Sequence, residues 1–163
     1  MSAKRSSAAS IALRKARTAI SLPLATIVLA AMIWMLLWMF TLLTFAVPIR
    51  HLSRFLGADR GLDDRVEAPQ GKAFARVEKL ATAMDLAVRY HPLTDTCYAE
   101  ALIAHMFLLA MSVEHVIKFG VRRKAEGPNA AIEAHAWLMA GSTTVCGGRR
   151  NSDYTVVRCF LST

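Results

Sequence analysis

The chain has 163 residues, 55% of them hydrophobic, with 20 Lys/Arg against 12 Asp/Glu for a net charge of +8. That length has room for one compact domain and an N-terminal appendage. The charge is uneven: residues 1–65 carry nine Lys/Arg and three Asp/Glu (+6), residues 66–163 eleven and nine (+2).

Lys4, Arg5, Arg14, Lys15 and Arg17 directly precede an apolar run. Cations placed so suit anionic lipid headgroups better than a nucleic-acid groove, and no nucleic-acid partner is expected. Residues 18–49 contain no charge, and Pro23 and Pro48 bracket Leu24 to Val47. As a helix this segment is long enough to cross a bilayer core of about 30 Å. A cleaved signal peptide is disfavoured by the length of the run and the lack of a small-residue cleavage site. Trp34 and Trp38 lie mid-segment, not as an interfacial belt. Burial against the domain or a partner is the alternative to membrane contact.

Arg50 to Leu56 predict a short amphipathic helix stopped by Gly57. Residues 57–71 are polar and rich in Gly and Pro, and read as a linker. The expected division is thus 1–56 for the basic, hydrophobic appendage, 57–71 for the linker and 72–163 for the folded domain. Phe74, Val77, Leu80, Ala81, Met84 and Val88 recur at helical spacing, and His91-Pro92 ends that helix. Thr94-Asp95-Thr96 are good N-cap residues for a second helix from Cys97 to Met111. That helix is apolar nearly all round, broken by Glu100 and His105, as expected of a central, covered element.

After Ser112 the period changes from 3.6 to 2. Strands are predicted over Val116–Val121, Ile132–Met139, Thr143–Cys146 and Tyr154–Leu161, with a polar loop through Gly127-Pro128-Asn129. Helices followed by an antiparallel sheet make an α+β domain. Arg122-Arg123-Lys124 and Arg149-Arg150 read as solvated loop charges.

Three cysteines, Cys97, Cys146 and Cys159, form no CxxC pair and no even framework, which fits free thiols in a reducing compartment. Cys97 opens a buried helix, where unpaired N–H groups and the helix dipole favour negative charge and suit a thiolate. A nucleophilic thiol needs a base, preferably on another rigid element. His135 supplies one: in Glu133-Ala134-His135-Ala136-Trp137, alternation sets His135 and Trp137 on one face and Ala134 and Ala136 on the other. Taken singly, a lone cysteine is more often core filler and a strand histidine more often structural. The order of parts carries the case. Neither Cys nor His occurs at zinc-ligand spacing, so no metal is expected, and no cofactor motif is present.

The segment CYAEALIAHMFLLAMSVEHVIKFGVRR, followed by AHAWLMAG, resembles the transglutaminase-like leader peptidases of lasso-peptide biosynthesis. The matching positions are Cys97-Tyr98, Ala101-Leu102, Leu108-Leu109, Gly120-Val121 and Ala134-His135-Ala136-Trp137. The hydrophobic N-terminal part, ending in Val47-Pro48-Ile49-Arg50, also fits. The resemblance implies a transglutaminase-like (papain-like) cysteine peptidase fold, helices on a small antiparallel sheet. It implies Cys97 as nucleophile and His135 as base and then acid. It also implies a precursor peptide as substrate, a small stand-alone leader-recognition protein, an ATP-dependent cyclase, and a cytoplasmic setting at the inner face of the membrane. The family places an imidazole-orienting carboxylate about a dozen residues past the histidine; here that register gives Gly147 or Gly148. Asp153 is the nearest downstream acid and is taken as the third catalytic residue. Two further departures are Met139, where the family has an acid, and Ser112, where a Gly often ends the cysteine helix. Another transglutaminase-like amidase or acyl transferase, or a non-catalytic membrane scaffold, would share these features.

Overall fold

The computed structural model describes residues 22–46, 56–93, 96–123 and 131–163. The predicted helix over Arg50–Leu56 and the Gly127–Asn129 loop lie outside or mostly outside them.

The uncharged run forms helix α1, Leu24–Ala46, starting just after Pro23, whose carbonyl accepts the Thr26 amide. Strand β1 is Ala58–Gly61. Helix α2 spans Gly71–Arg89 and helix α3 Cys97–Ala110. Then come β2 (His115–Arg123), β3 (Ile132–Ala140), β4 (Thr143–Cys146), a 3-10 turn over Gly148–Asp153, and β5 (Thr155–Ser162). The sheet order is β1-β5-β2-β3-β4, antiparallel throughout. The architecture is the α+β arrangement of helices and antiparallel sheet expected from the sequence.

Residues 57–71, expected as a linker, are tied to the sheet. Asp59 pairs with Phe160 at its edge, and Lys118 grips Asp64 at 2.6 Å, holding that carboxyl below its ordinary range. Ala68 packs against Gly141 so closely that a Cβ there would lie 2.5 Å away. The sequence Ala-Asp-Arg-Gly has no strand propensity; backbone pairing to β5 makes it a strand.

The core lies between the helices and one sheet face. Val77, Leu80, Ala83, Met84 and Ala87 form the inner stripe of α2, whereas Phe74, expected there, is exposed. They meet Ala101, Ile103, Ala104 and Leu108 of α3, and Ile117, Ala136, Leu138 and Phe160 of the sheet. Helix α1 joins the same core through Ala30, Ile33, Leu37 and Phe40. Ile33 and Leu37 have no exposed surface, and such burial stabilises by roughly 2 kcal/mol per side chain. One face of the uncharged helix is therefore a domain surface. Trp34 and Trp38 face the turn before α3: their rings lie 5.9 and 5.1 Å from His91, and Trp34 Nε1–H donates to the Tyr90 carbonyl at 3.2 Å.

The two polar residues of α3 are both buried and bonded. Thr96 Oγ1 donates to Glu100 Oε1 at 2.7 Å, and His105 Nδ1 meets His115 Nε2 at 2.8 Å. His115 Nδ1–H donates to the Val113 carbonyl, so its Nε2 accepts from His105 Nδ1–H. Burial pushes the His115 pKa down to about 4. Ser112 ends the helix at φ 51, a left-handed position that explains why glycine suits it.

Candidate active site

Cys97 is the first residue of α3, with Thr96 as its N-cap. The Thr96 hydroxyl is turned to Glu100 and makes no cap bond, so it does not take up the first-turn N–H groups. Glu100 N–H donates to the Thr96 carbonyl at 2.8 Å, fixing the turn that carries Cys97.

His135 lies on β3 beyond the last residue covered by β4, whose pairing stops at Leu138↔Cys146. The β3 residues that join the core are Ala136, Leu138 and Ala140, not the His135–Trp137 face. His135 thus lies on the part of β3 that β4 does not cover, where it lines one cleft with Cys97. The neighbouring Cys97 thiol holds the imidazole pKa above its ordinary value against the opposing effect of burial.

The second nitrogen of the ring is anchored. His135 Nε2 lies 2.8 Å from the Gly147 carbonyl oxygen, which can only accept, so Nε2 carries a hydrogen. Nδ1 is left to exchange a proton with the thiol. Gly147 stands at φ +71, and a Cβ there would come within 2.5 Å of the Ala136 carbonyl and 2.7 Å of the Trp137 Cβ. Only a residue without a side chain brings its carbonyl this close to β3.

Asp153, expected as the orienting carboxylate, does not fill that place. Its Oδ2 accepts from Arg122 Nη1 at 3.3 Å, and its side chain is about half exposed. Arg122 also donates from Nε and Nη2 to Glu133 Oε2, at 3.0 and 2.9 Å. Its guanidinium lies 4.8 Å from the centroid of Tyr154, whose ring in turn lies 4.9 Å from His135. Trp137 stacks on the imidazole from its own strand at 5.8 Å. Two aromatic rings thus limit the imidazole's rotation, and Arg122, expected as a loop charge, is built into this support. Tyr154 was legible as a strand residue but gave no sign of this contact; Gly120, whose missing Cβ makes room for the Trp137 ring, gave none either.

A cleft of about 580 Å³ opens over this pair, lined by Met84, Val88, Glu100, Ala134 and Cys146 among others. Its walls are mainly apolar, with acidic groups at Asp85, Glu100 and Glu133. Cys146 reaches the same cleft, but burial raises its pKa well above the ordinary thiol value, and Cys159 has no exposed surface. Among the described residues, no group of three His, Cys, Asp or Glu is placed to hold a metal ion.

A family model described as the transglutaminase-like superfamily matches residues 39–159. No curated protein and no solved structure matches the chain. The matched span covers α2, α3, strands β1 to β4, most of β5 and both members of the Cys97–His135 pair, and the chain belongs to the transglutaminase-like superfamily.

Proposed function

We propose that the chain is a cysteine peptidase that removes the leader from a ribosomally made lasso-peptide precursor, with Cys97 as nucleophile and His135 as its acid and base. The observation that carries the chemistry is the placing of Cys97 and His135 on one cleft, with Nε2 of His135 anchored on the Gly147 carbonyl. The thiol gives its proton to Nδ1, and the thiolate attacks the scissile carbonyl. The Cys97 N–H, at the start of α3, stabilises the oxyanion. The tetrahedral intermediate collapses, and Nδ1–H protonates the leaving amine. His135 then takes a proton from water, which attacks the acyl-enzyme and frees the thiol. Nε2 keeps its hydrogen on Gly147 throughout, so a backbone carbonyl does the orienting work that a carboxylate does in a triad. The price is weaker support for the imidazolium.

Leader specificity rests on the resemblance of the Cys97 helix and the Ala134–Trp137 block. On that reading a separate small recognition protein presents the leader, and an ATP-dependent cyclase closes the ring afterwards. The work takes place at the inner face of the cell membrane, reached through residues 18–49. The same dyad would also serve an amidase or an acyl transferase.

The test is incubation of the full chain with a leader-bearing precursor and its recognition protein, read by mass spectrometry. Release of leader and core, lost in Cys97→Ala and kept in Cys146→Ala and Cys159→Ala, is the expected result. Deamidation or transfer to an added amine, without a cut, would replace the peptidase by the other chemistry of this fold. Unchanged cleavage in Cys97→Ala would remove the proposal.

A further inference from the structure

Helix α1 has two opposed apolar faces. At about 100° per residue, Leu24, Val28, Met32, Met35, Met39 and Leu42 fall within an arc of about 80°. All six are exposed, Leu24 by 75% and Leu42 by 67%. The buried Thr26, Ala30, Ile33, Leu37, Phe40 and Thr41 occupy the other side, centred nearly opposite. The helix is therefore fixed to the domain along one face and offers an unbroken apolar ridge, about 27 Å long from Leu24 to Leu42, along the other.

Charge decides what covers that ridge. Residues 1–58 contain seven Lys/Arg (Lys4, Arg5, Arg14, Lys15 and Arg17 before the helix, Arg50 and Arg54 after it) and no Asp or Glu. Cations flank both ends, as expected where both ends meet the same anionic surface. A second copy of the chain would bring like charges together at both ends. Crossing the bilayer is opposed by packing. Helix α2 lies against α1 and carries exposed Lys72, Arg76, Lys79 and Asp85. A spanning α1 would draw these charges into hydrocarbon or strip Ile33 and Leu37 of their partners.

We propose that α1 docks the domain on one leaflet of an anionic bilayer, lying in the membrane plane with the Leu24–Leu42 ridge in the acyl boundary and both basic flanks among the headgroups. This deepens the membrane attachment proposed above and does not depend on the peptidase chemistry. Helices of this kind bind by buried apolar area together with attraction to anionic lipid.

The experiment uses the full chain, exchanged from mild detergent onto preformed sealed vesicles of equimolar phosphatidylglycerol and phosphatidylcholine, or of phosphatidylcholine alone. Flotation with the anionic vesicles is expected, roughly tenfold weaker or more on the neutral ones. Met35→Asp combined with Met39→Asp should lower binding by a similar factor while leaving Cys97 alkylation, a monitor of the fold, unchanged. Trypsin added outside should cut at both basic flanks. Protection of one flank would mean that α1 spans the bilayer and would overturn the proposal. A stable dimer in light scattering with no flotation would assign the ridge to a second copy instead. Because cleavage of a soluble precursor is read separately, either outcome leaves the Cys97 chemistry standing.

Discussion

The carbonyl oxygen of Gly147 lies 2.8 Å from Nε2 of His135, twelve residues away in sequence, where a histidine-based acid–base pair commonly has a carboxylate. A neutral acceptor fixes tautomer and orientation as a carboxylate does, but adds less stabilisation to the imidazolium. The geometry of the site depends on this bond more than on any acid nearby.

Gly147→Ala tests that dependence. A Cβ within 2.5 Å of the Ala136 carbonyl, on a left-handed backbone, forces the carbonyl away from the ring. Turnover should fall by about a hundredfold or more with a smaller change in KM, as expected when a catalytic histidine loses its anchor. The Gly147 bond also raises the His135 pKa, so its NMR-detected titration should move to lower pH in the variant. An unchanged kcat would show that the carbonyl does not orient the imidazole.

Asp153→Asn should be nearly silent, within about threefold in kcat. The residue is about half exposed and reaches the site only through Arg122. Arg122→Ala, which removes a partner of Glu133 and uncovers Tyr154, should cost more than Asp153→Asn in the same steady-state assay. A loss of several orders of magnitude in Asp153→Asn would restore it as a third catalytic residue.

Acid stability should depend on the buried His105–His115 pair. The His115 pKa is about 4 in the fold and near 6.5 when the chain unfolds, so between these values the unfolded state binds more protons. Its contribution to stability is complete above about pH 6.5 and is lost as pH falls toward 4, on the order of 3 kcal/mol in all. Urea midpoints measured across that range should show this loss, and His115→Phe should flatten it.

Much of this was legible in the sequence, for identifiable reasons. Cys97 follows N-cap residues and opens an apolar run, and His135 sits in an alternating segment, so periodicity placed both on the right elements. Which face of β3 met the helices was not legible, because Ala136 and Trp137 are both apolar; the structure buries the alanine side in the core and leaves His135 at the edge. Asp153 stands out in the sequence since only side chains announce themselves as acids, whereas the Gly147 anchor is a backbone carbonyl with no sequence signature. Strand β1 carries no sequence signal because its pairing to β5 owes nothing to its side chains. Helix α1 is apolar on every face, so no period could tell its packed stripe from its exposed ridge.

The most direct measurement is the rate at which each cysteine is alkylated by iodoacetamide at neutral pH, read by peptide mass spectrometry and requiring no substrate. Cys97 should react first, ahead of buried Cys146 and Cys159, and His135→Ala should slow it by roughly tenfold or more if the imidazole is its base as proposed. Alkylation of Cys97 at the rate of an ordinary free thiol, unaltered by His135→Ala, would contradict the Cys97–His135 pair as a catalytic unit.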